Sequence, residues 1–460
     1  ARTLLRRLPR RDALAVLASE HRQLGVCELR LMPKPGGTFR PIFNLARYAK
    51  SARRLGLTTP INVQLRKVFA MLRALRRRTP NLLGAGVLGV SEFHARWRDF
   101  VAQWRAFTAV SQPPHAASRA PPQLFFCATD VADCYDRIDQ RQLFSALLDA
   151  LCVRGGALSE QKRLRVLAMR DGALSGHAAT EEVQQELLPT DDALFAQLAA
   201  RRHSPAIFID PQRRQTLGVD QAVALLRQHI FGSVSCADGK FYAQVSGIPQ
   251  GSVLSPLLCS LHYGSLDIEL LLRYLSRCGE TDAALPQLSM LLRLIDDSLL
   301  VTTCPQTRRD FLTTVEKGFQ EYGCQLKPEK TRLSLHGNAS HSLPSPRQPR
   351  DGSGGRFFSW CGLLLNEESC EVQPDYTRRG GGQAAVGVRR RIALAAAADK
   401  MRALAKPKLR AVFIDPQINC AVTVRRNVFH ALLHAITATL AATGRAAVVR
   451  ASVARAGSPL

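Results

Sequence analysis

Met290-Leu291-Leu292-Arg293-Leu294-Ile295-Asp296-Asp297-Ser298-Leu299-Leu300-Val301-Thr302 is the stretch on which the fold turns. Apolar runs flank two adjacent carboxylates, which predicts a β-hairpin with Asp296 and Asp297 at its tip. Adjacent negative charges repel unless a cation lies between them or they point apart. A hard divalent cation such as Mg²⁺ takes oxygen ligands of this kind and keeps room for substrate phosphates. A second apolar run, Leu124-Phe125-Phe126-Cys127-Ala128-Thr129, ends at Asp130. A lone strand-end aspartate reads as a turn former or helix cap. Set beside the hairpin in one sheet, Asp130 joins Asp296 and Asp297 in a site for two metal ions and in-line attack on a phosphate.

Working outward, Phe357 to Leu365 reads as a third strand. Helical periodicity dominates elsewhere, as in Glu182 to Arg201, Gln221 to Ile230 and Asn427 to Leu440. A few strands among many helices predict an α+β protein. Gln112 to Gln123, Asn338 to Arg356 and Arg378 to Arg391 are loop-like and mark boundaries or surface insertions. Phe-Ile-Asp-Pro-Gln occurs at both Phe208 and Phe413, but the flanks differ, so the match is coincidence. Lys34 to Ile42 predicts a basic hairpin turning at Gly36-Gly37. Its Lys34 and Arg40 either face solvent or grip one anionic object such as a triphosphate. Gly247-Ile248-Pro249-Gln250-Gly251-Ser252 leads into an apolar helix from Val253 to Leu266. That loop is either a helix start capped by Ser252 or a place where Gly247 and Gly251 let the backbone approach a base pair.

The 460 residues leave room for two to four domains, and 46% hydrophobic residues can bury a core. Lys and Arg number 63 against 37 acidic residues, a net charge of +26 that attracts polyanions. Nucleic acid is the first reading of that charge; a membrane surface or a merely solvated basic face remain alternatives. Twelve cysteines form no Cys-x-x-Cys pair, and Cys259 to His262 has no second pair near it, so no zinc site is expected. Scattered thiols suggest a reducing compartment. No signal peptide is recognised at Ala1-Arg2-Thr3. Val245 to Leu266 is broken by glycine and proline, and Asn427 to Gly444 is short and contains His430 and His434, so no membrane span is expected.

Taken together and in order, these residues resemble the catalytic core of a reverse transcriptase, specifically of the telomerase reverse transcriptase family. Glu28 to Asn44 is similar to fingers motifs 1 and 2. Thr129-Asp130-Val131 with Cys134-Tyr135-Asp136 resembles motif A, Gly247 to Ser255 motif B′, and Leu291 to Thr302 motif C. Lys330-Thr331 resembles the end of motif D, and Trp360-Cys361-Gly362-Leu363-Leu364-Leu365 motif E. The Leu-x-Asp-Asp form and the Trp-Cys-Gly block are the most telomerase-like pieces. The stretch from Cys152 to Gly232 is similar in position to the family's fingers insertion.

The resemblance implies a right-hand polymerase with an antiparallel palm sheet and a mostly helical fingers insertion and thumb. Residues 1–24 would be a remnant linking to an RNA-binding domain, 25–123 fingers, 124–150 and 234–373 palm, 151–233 the insertion, and 374–460 a shortened thumb. Asp130 and Asp296, with the Val131 carbonyl and Asp297, would hold two Mg²⁺ ions. Lys34 and Arg40 would grip the triphosphate, and Gln250 would touch nucleotide or template. Tyr135 would exclude a 2′-hydroxyl, or else is a core tyrosine. Lys330 would give a proton to pyrophosphate, or else is a surface lysine. Trp360, Cys361 and Gly362 would grip the primer, or else form a structural hairpin. Arg389 to Arg391 would touch duplex backbone, or else start a solvated helix.

The implied activity is RNA-templated addition of deoxynucleotides to telomeric 3′ ends in the nucleus. The implied partners are telomerase RNA, single-stranded telomeric primer, the RNA–DNA hybrid and dNTPs. Rival readings are a Penelope-like mobile-element reverse transcriptase and an inactive RNA-binding scaffold, the latter disfavoured by intact aspartates. Ser298 departs from the family's usual bulky residue, and Asp133 is given no role.

Overall fold

A computed structural model describes residues 4–33, 37, 39–47, 59–110, 122–152, 164–165, 170–171, 208–209, 216–272, 288–334, 356–376 and 397–443. They fall into two compact units, each drawn from separate parts of the chain. The helix expected at Glu182 to Arg201 and the loops expected around 112–121, 338–355 and 378–391 lie outside the described residues.

The first unit comprises Ala1–Gly84, Asp133–Glu269 and Phe319–Cys324. Its five-stranded sheet runs Leu5–Leu8, Lys240–Gln244, Val234–Ala237, Val26–Pro33, Phe39–Asn44 in spatial order. Every pairing is antiparallel except that of Val26–Pro33 with Val234–Ala237. Asp238 and Gly239 join two of the strands at φ 47 and 75, the left-handed pair that a type I′ hairpin needs. Helix Arg10–Leu17 lays Ala13 and Leu17 against Val26, Val234 and Phe241. Strands Val26–Pro33 and Phe39–Asn44 pair as a hairpin, and between them Gly37 has φ 77, while residues 34–36 and 38 of the expected turn lie outside the described residues. Helix Ser255–Leu266 is buried nearly all round, as a helix apolar on every face should be. It begins two residues later than expected, because Pro256 fits the first turn and Leu254 takes the cap position. Within residues 151–233, where an insertion is expected, the described elements are helix Val219–Phe231 and two short ladders, Leu164–Arg165 with Thr216–Leu217 and Arg170–Asp171 with Phe208–Ile209.

The second unit comprises Ala85–Ala132, Leu270–Gly318 and Gln325–Leu460. Its four-stranded antiparallel sheet is ordered Ser289–Leu294, Asp297–Thr302, Phe125–Asp130, Arg332–Leu333. Alternation points Phe126, Ala128, Leu292, Leu299 and Val301 to one face, where they meet Phe93 and Trp97 of helix Val90–Val110. Trp360 and Phe358 extend the same core. The run from Phe357 to Leu365 is a hairpin rather than one strand. Phe357–Trp360 and Leu363–Asn366 pair across Cys361 and Gly362, both with positive φ (47 and 80), which reverses the chain. Helix Ala421–Thr443 contains the expected Asn427 to Leu440 and starts earlier. Buried Asn427 donates to the Val372 and Phe413 carbonyls. Phe208 lies in a strand and Phe413 in a short helix, so the repeated pentapeptide carries no shared structure. Among the described residues no helix is long and apolar enough to cross a membrane.

Candidate active site

The expected hairpin closes between Leu294 and Asp297, leaving Ile295 and Asp296 as its two-residue turn. Ile295 sits at φ 63, a region that β-branched residues avoid. The neighbouring strand brings Asp130 directly opposite Asp297 in the ladder, so both carboxylates share one face of the sheet tip. The Val131 amide donates to the Asp296 carbonyl at 3.1 Å, tying the strand end to the turn. Asp130 and the Asp296-Asp297 pair, far apart along the chain, thus converge through strand register alone.

Electrostatics mark the cluster. Asp296 is pushed up to about 6, first by burial and then by the charges of Asp297 and Asp130; Lys330 opposes the shift. Lys330 Nζ donates to Asp130 Oδ2 at 2.7 Å. The other carboxylate oxygen, Oδ1, is buried with no hydrogen-bond partner. Lys327 Nζ lies 3.6 Å from it, beyond hydrogen-bond length. Cys361 Sγ donates to Asp297 Oδ2 at 3.3 Å, so the Cys361-Gly362 turn touches the aspartate hairpin.

Among the described residues no three His, Cys, Asp or Glu side chains form a closed cage for a metal. An orphaned carboxylate oxygen and a like-charge cluster nevertheless suit Mg²⁺, which takes one or two carboxylates and completes its shell with water and substrate phosphates. Cys259 and His262 are both buried, and His262 Nε2 lies 3.0 Å from the Tyr322 carbonyl, an arrangement of ordinary core residues.

The remaining site residues divide between the units. In the first unit, half-buried Tyr135 lies in the short helix Cys134–Arg137, and its carbonyl accepts from the Ile248 amide. Gln250 Nε2 donates to Asp136 Oδ1 at 3.0 Å, which sets Gln250 beside motif A. Arg40 is exposed on its hairpin strand, across from Met32; Lys34 lies outside the described residues. The two glycines expected to approach a base pair instead approach protein backbone. A Cβ on Gly247 would stand 2.2 Å from the Tyr135 carbonyl, and one on Gly251 2.2 Å from that of Phe43. Ser252 Oγ accepts from the Leu254 amide, ahead of the helix rather than on it. In the second unit, Trp360 is 1% exposed and packs on Phe93, so of the Trp-Cys-Gly block only Cys361 and Gly362 stand at the turn.

Sequence reading missed Lys327, Arg293 and the contact of Cys361 with Asp297. Lys327 is three residues before Lys330 in a Lys-Pro-Glu-Lys turn, the one signal that could have pointed to it. Arg293 was visible as a charge inside an apolar strand, an anomaly that asks for a partner.

Residues 210–371 match the family described as reverse transcriptase (RNA-dependent DNA polymerase). Telomerase reverse transcriptase of Bos taurus is 32% identical over 88% of this chain and 34% of its own length. That of Rattus norvegicus is 30% identical over 89% of this chain and 35% of its own length. Over most of its length the chain is thus similar to the reverse-transcriptase part of telomerase reverse transcriptases. It spans about a third of the length of these curated relatives. A telomerase structure from Candida albicans, in complex with a fragment of telomeric RNA, superposes with TM-score 0.55 at 16% identity over 96% of this chain and 58% of its own. The fold is therefore the α+β right-hand polymerase fold of telomerase, with its aspartates on an antiparallel sheet. The mobile-element reading draws no support from these relatives.

Proposed function

We propose that this chain is the catalytic core of an RNA-templated DNA polymerase that adds deoxynucleotides to telomeric 3′ ends in the nucleus. One observation carries the reading: Asp130 faces Asp297 in the strand ladder, with Asp296 at the turn beside them. Asp130, the Val131 carbonyl, Asp296 and Asp297 would hold two Mg²⁺ ions. When bound, the ions supply activation of the primer 3′-hydroxyl and neutralisation of the departing pyrophosphate.

The chain's own groups do the positioning. Lys330 would donate a proton to the leaving pyrophosphate, a role supported by its hydrogen bond to Asp130 at the carboxylate cluster. Cys361 and Gly362 present a backbone turn to the primer end, while Trp360 anchors that turn from inside the core. Tyr135 limits the sugar to the deoxy form by bulk, Gln250 lies against nucleotide or template, and Lys34 and Arg40 hold the triphosphate. Telomerase RNA supplies the template, and the RNA–DNA hybrid is the running substrate. In this assignment, residues 25–123 are fingers with 151–233 inserted, 124–150 and 234–373 palm, and 374–460 thumb.

The test is primer extension on an RNA–DNA hybrid with Mg²⁺ and each dNTP in turn, with telomerase RNA supplied in trans. The chain is expected to add templated deoxynucleotides. Asp130→Ala is expected to abolish extension while hybrid affinity stays nearly unchanged. Extension at the wild-type rate by Asp130→Ala would remove the assignment.

A further inference from the structure

The aspartate hairpin has a guanidinium behind it. Arg293 sits in edge strand Ser289–Leu294, opposite Ser298, which in turn stands opposite Thr129. Side-chain alternation puts Arg293, Ser298 and Thr129 on the face of the sheet away from Leu294, Asp297 and Asp130. Arg293 is 2% exposed. A charged group so deep in a sheet is costly unless its donors are used, and one of them has a specific target. Arg293 Nη1 donates to the carbonyl of Ile295 at 2.9 Å. Ile295 is the turn residue held at φ 63. Its backbone is therefore fixed in a region it avoids by a charge-assisted bond two residues away. Arg293 is itself clamped, since its amide donates to the Ala85 carbonyl at 2.9 Å and its carbonyl accepts from the Val87 amide at 2.8 Å.

We propose that Arg293 is a positioning residue for nucleotidyl transfer: by pinning the Ile295 carbonyl it holds the turn that aims Asp296 at the catalytic face. Release of that carbonyl lets Ile295 relax to negative φ and rotates the Ile295–Asp296 peptide. It also loosens the Asp296 carbonyl from the Val131 amide. The small Ser298 stands across from Arg293 rather than among the carboxylates. Arg293 touches no reacting atom in this scheme. The inference rests on the polymerase reading of this hairpin.

The test is a double-mutant cycle of Arg293→Met and Ile295→Gly, because glycine adopts positive φ without strain and suits the first position of a two-residue hairpin turn. Arg293→Met is expected to lower kcat about 10- to 100-fold with little change in KM for dNTP, the signature of misplacement rather than lost binding. It is also expected to speed amide exchange at Val131 in the metal-free protein. Ile295→Gly alone should cost less than Arg293→Met. The double variant should recover at least about tenfold of the lost kcat and restore Val131 protection. Failure of the second substitution to restore either quantity, or unchanged exchange at Val131 in Arg293→Met, overturns the proposal. Should Arg293→Met not fold, Arg293→Lys takes its place, keeping the charge and stem but not the planar fork, with the same rescue required. A wild-type chain that extends no primer counts against the polymerase reading, while the exchange measurements still decide the role of Arg293.

Discussion

At the scale of single residues, the clustered carboxylates Asp130, Asp296 and Asp297 are arranged at a cost to the protein alone. Asp296 is raised from 3.8 to about 6 by burial and by its two acidic neighbours. The folded chain thus binds more protons than the unfolded one between these values. Its stability advantage is full below about pH 4 and is lost as pH rises through about 6. Asp296→Asn removes the repelling charge without changing shape. It should therefore stabilise the metal-free chain at pH 7.5 by on the order of 2 kcal/mol, with the gain vanishing below about pH 4. Thermal melts across pH measure this directly; an equal gain at every pH would show that burial of the charge is not the cause. Added Mg²⁺ should reverse the order, stabilising the wild type more than the Asn variant. The three aspartates were legible because two adjacent carboxylates between apolar runs ask for a cation, and that pair lifts Asp130 above the turn former or helix cap it would be alone. The pairing of Asp130 with Lys330 was not, since two hundred residues separate the partners and no local pattern encodes which lysine arrives.

At the scale of elements, tight turns carry the site, and two glycines separate strain from collision. Gly247 and Gly362 both have positive φ, at 65 and 80. An added Cβ on Gly362 meets nothing within 4 Å, whereas one on Gly247 meets the Tyr135 carbonyl and the backbone of Asp136. Gly362→Ala should therefore lose about 1 kcal/mol, the conformational penalty alone. Gly247→Ala must also push two backbone segments apart and should lose on the order of 3 kcal/mol or more. Chemical denaturation of the two variants tests the contrast, and equal losses would deny the close approach of the Gly247 loop to motif A. Strands ending in Asp130 and flanking Asp296-Asp297 could be read from their apolar runs. The Phe357 to Leu365 hairpin looked like one strand because Cys361, a non-glycine residue, occupies one of the two left-handed positions of its turn. The same limit applied to the Gly247 loop. Sequence shows that the backbone comes close to something there, and only the fold shows that the something is the chain itself.

At the scale of the whole molecule, the amino-acid composition alone supplies one decisive number, a net charge of +26. Ion pairs within the chain leave it unchanged, because it already sets 37 acidic residues against 63 lysines and arginines. The proposed site residues are divided between the two units, with the carboxylates and Lys330 in one and Tyr135, Gln250 and Arg40 in the other. That division was hidden in the sequence because each unit is assembled from segments far apart along the chain. Excess positive charge has a measurable consequence whichever bases are bound. Each phosphate neutralised by Lys or Arg releases a condensed counterion, so affinity for the RNA–DNA hybrid should fall along a straight line in log Kd against log salt. With roughly six to ten phosphate contacts, affinity should drop about 10³- to 10⁵-fold between roughly 50 and 200 mM salt. Changing the hybrid's sequence should shift the line but leave its slope alone, because phosphates carry no base identity. Fluorescence anisotropy with two unrelated hybrids over a salt series makes the comparison. A slope near zero, or one that changes with sequence, would mean that base contacts rather than the basic surface hold the substrate.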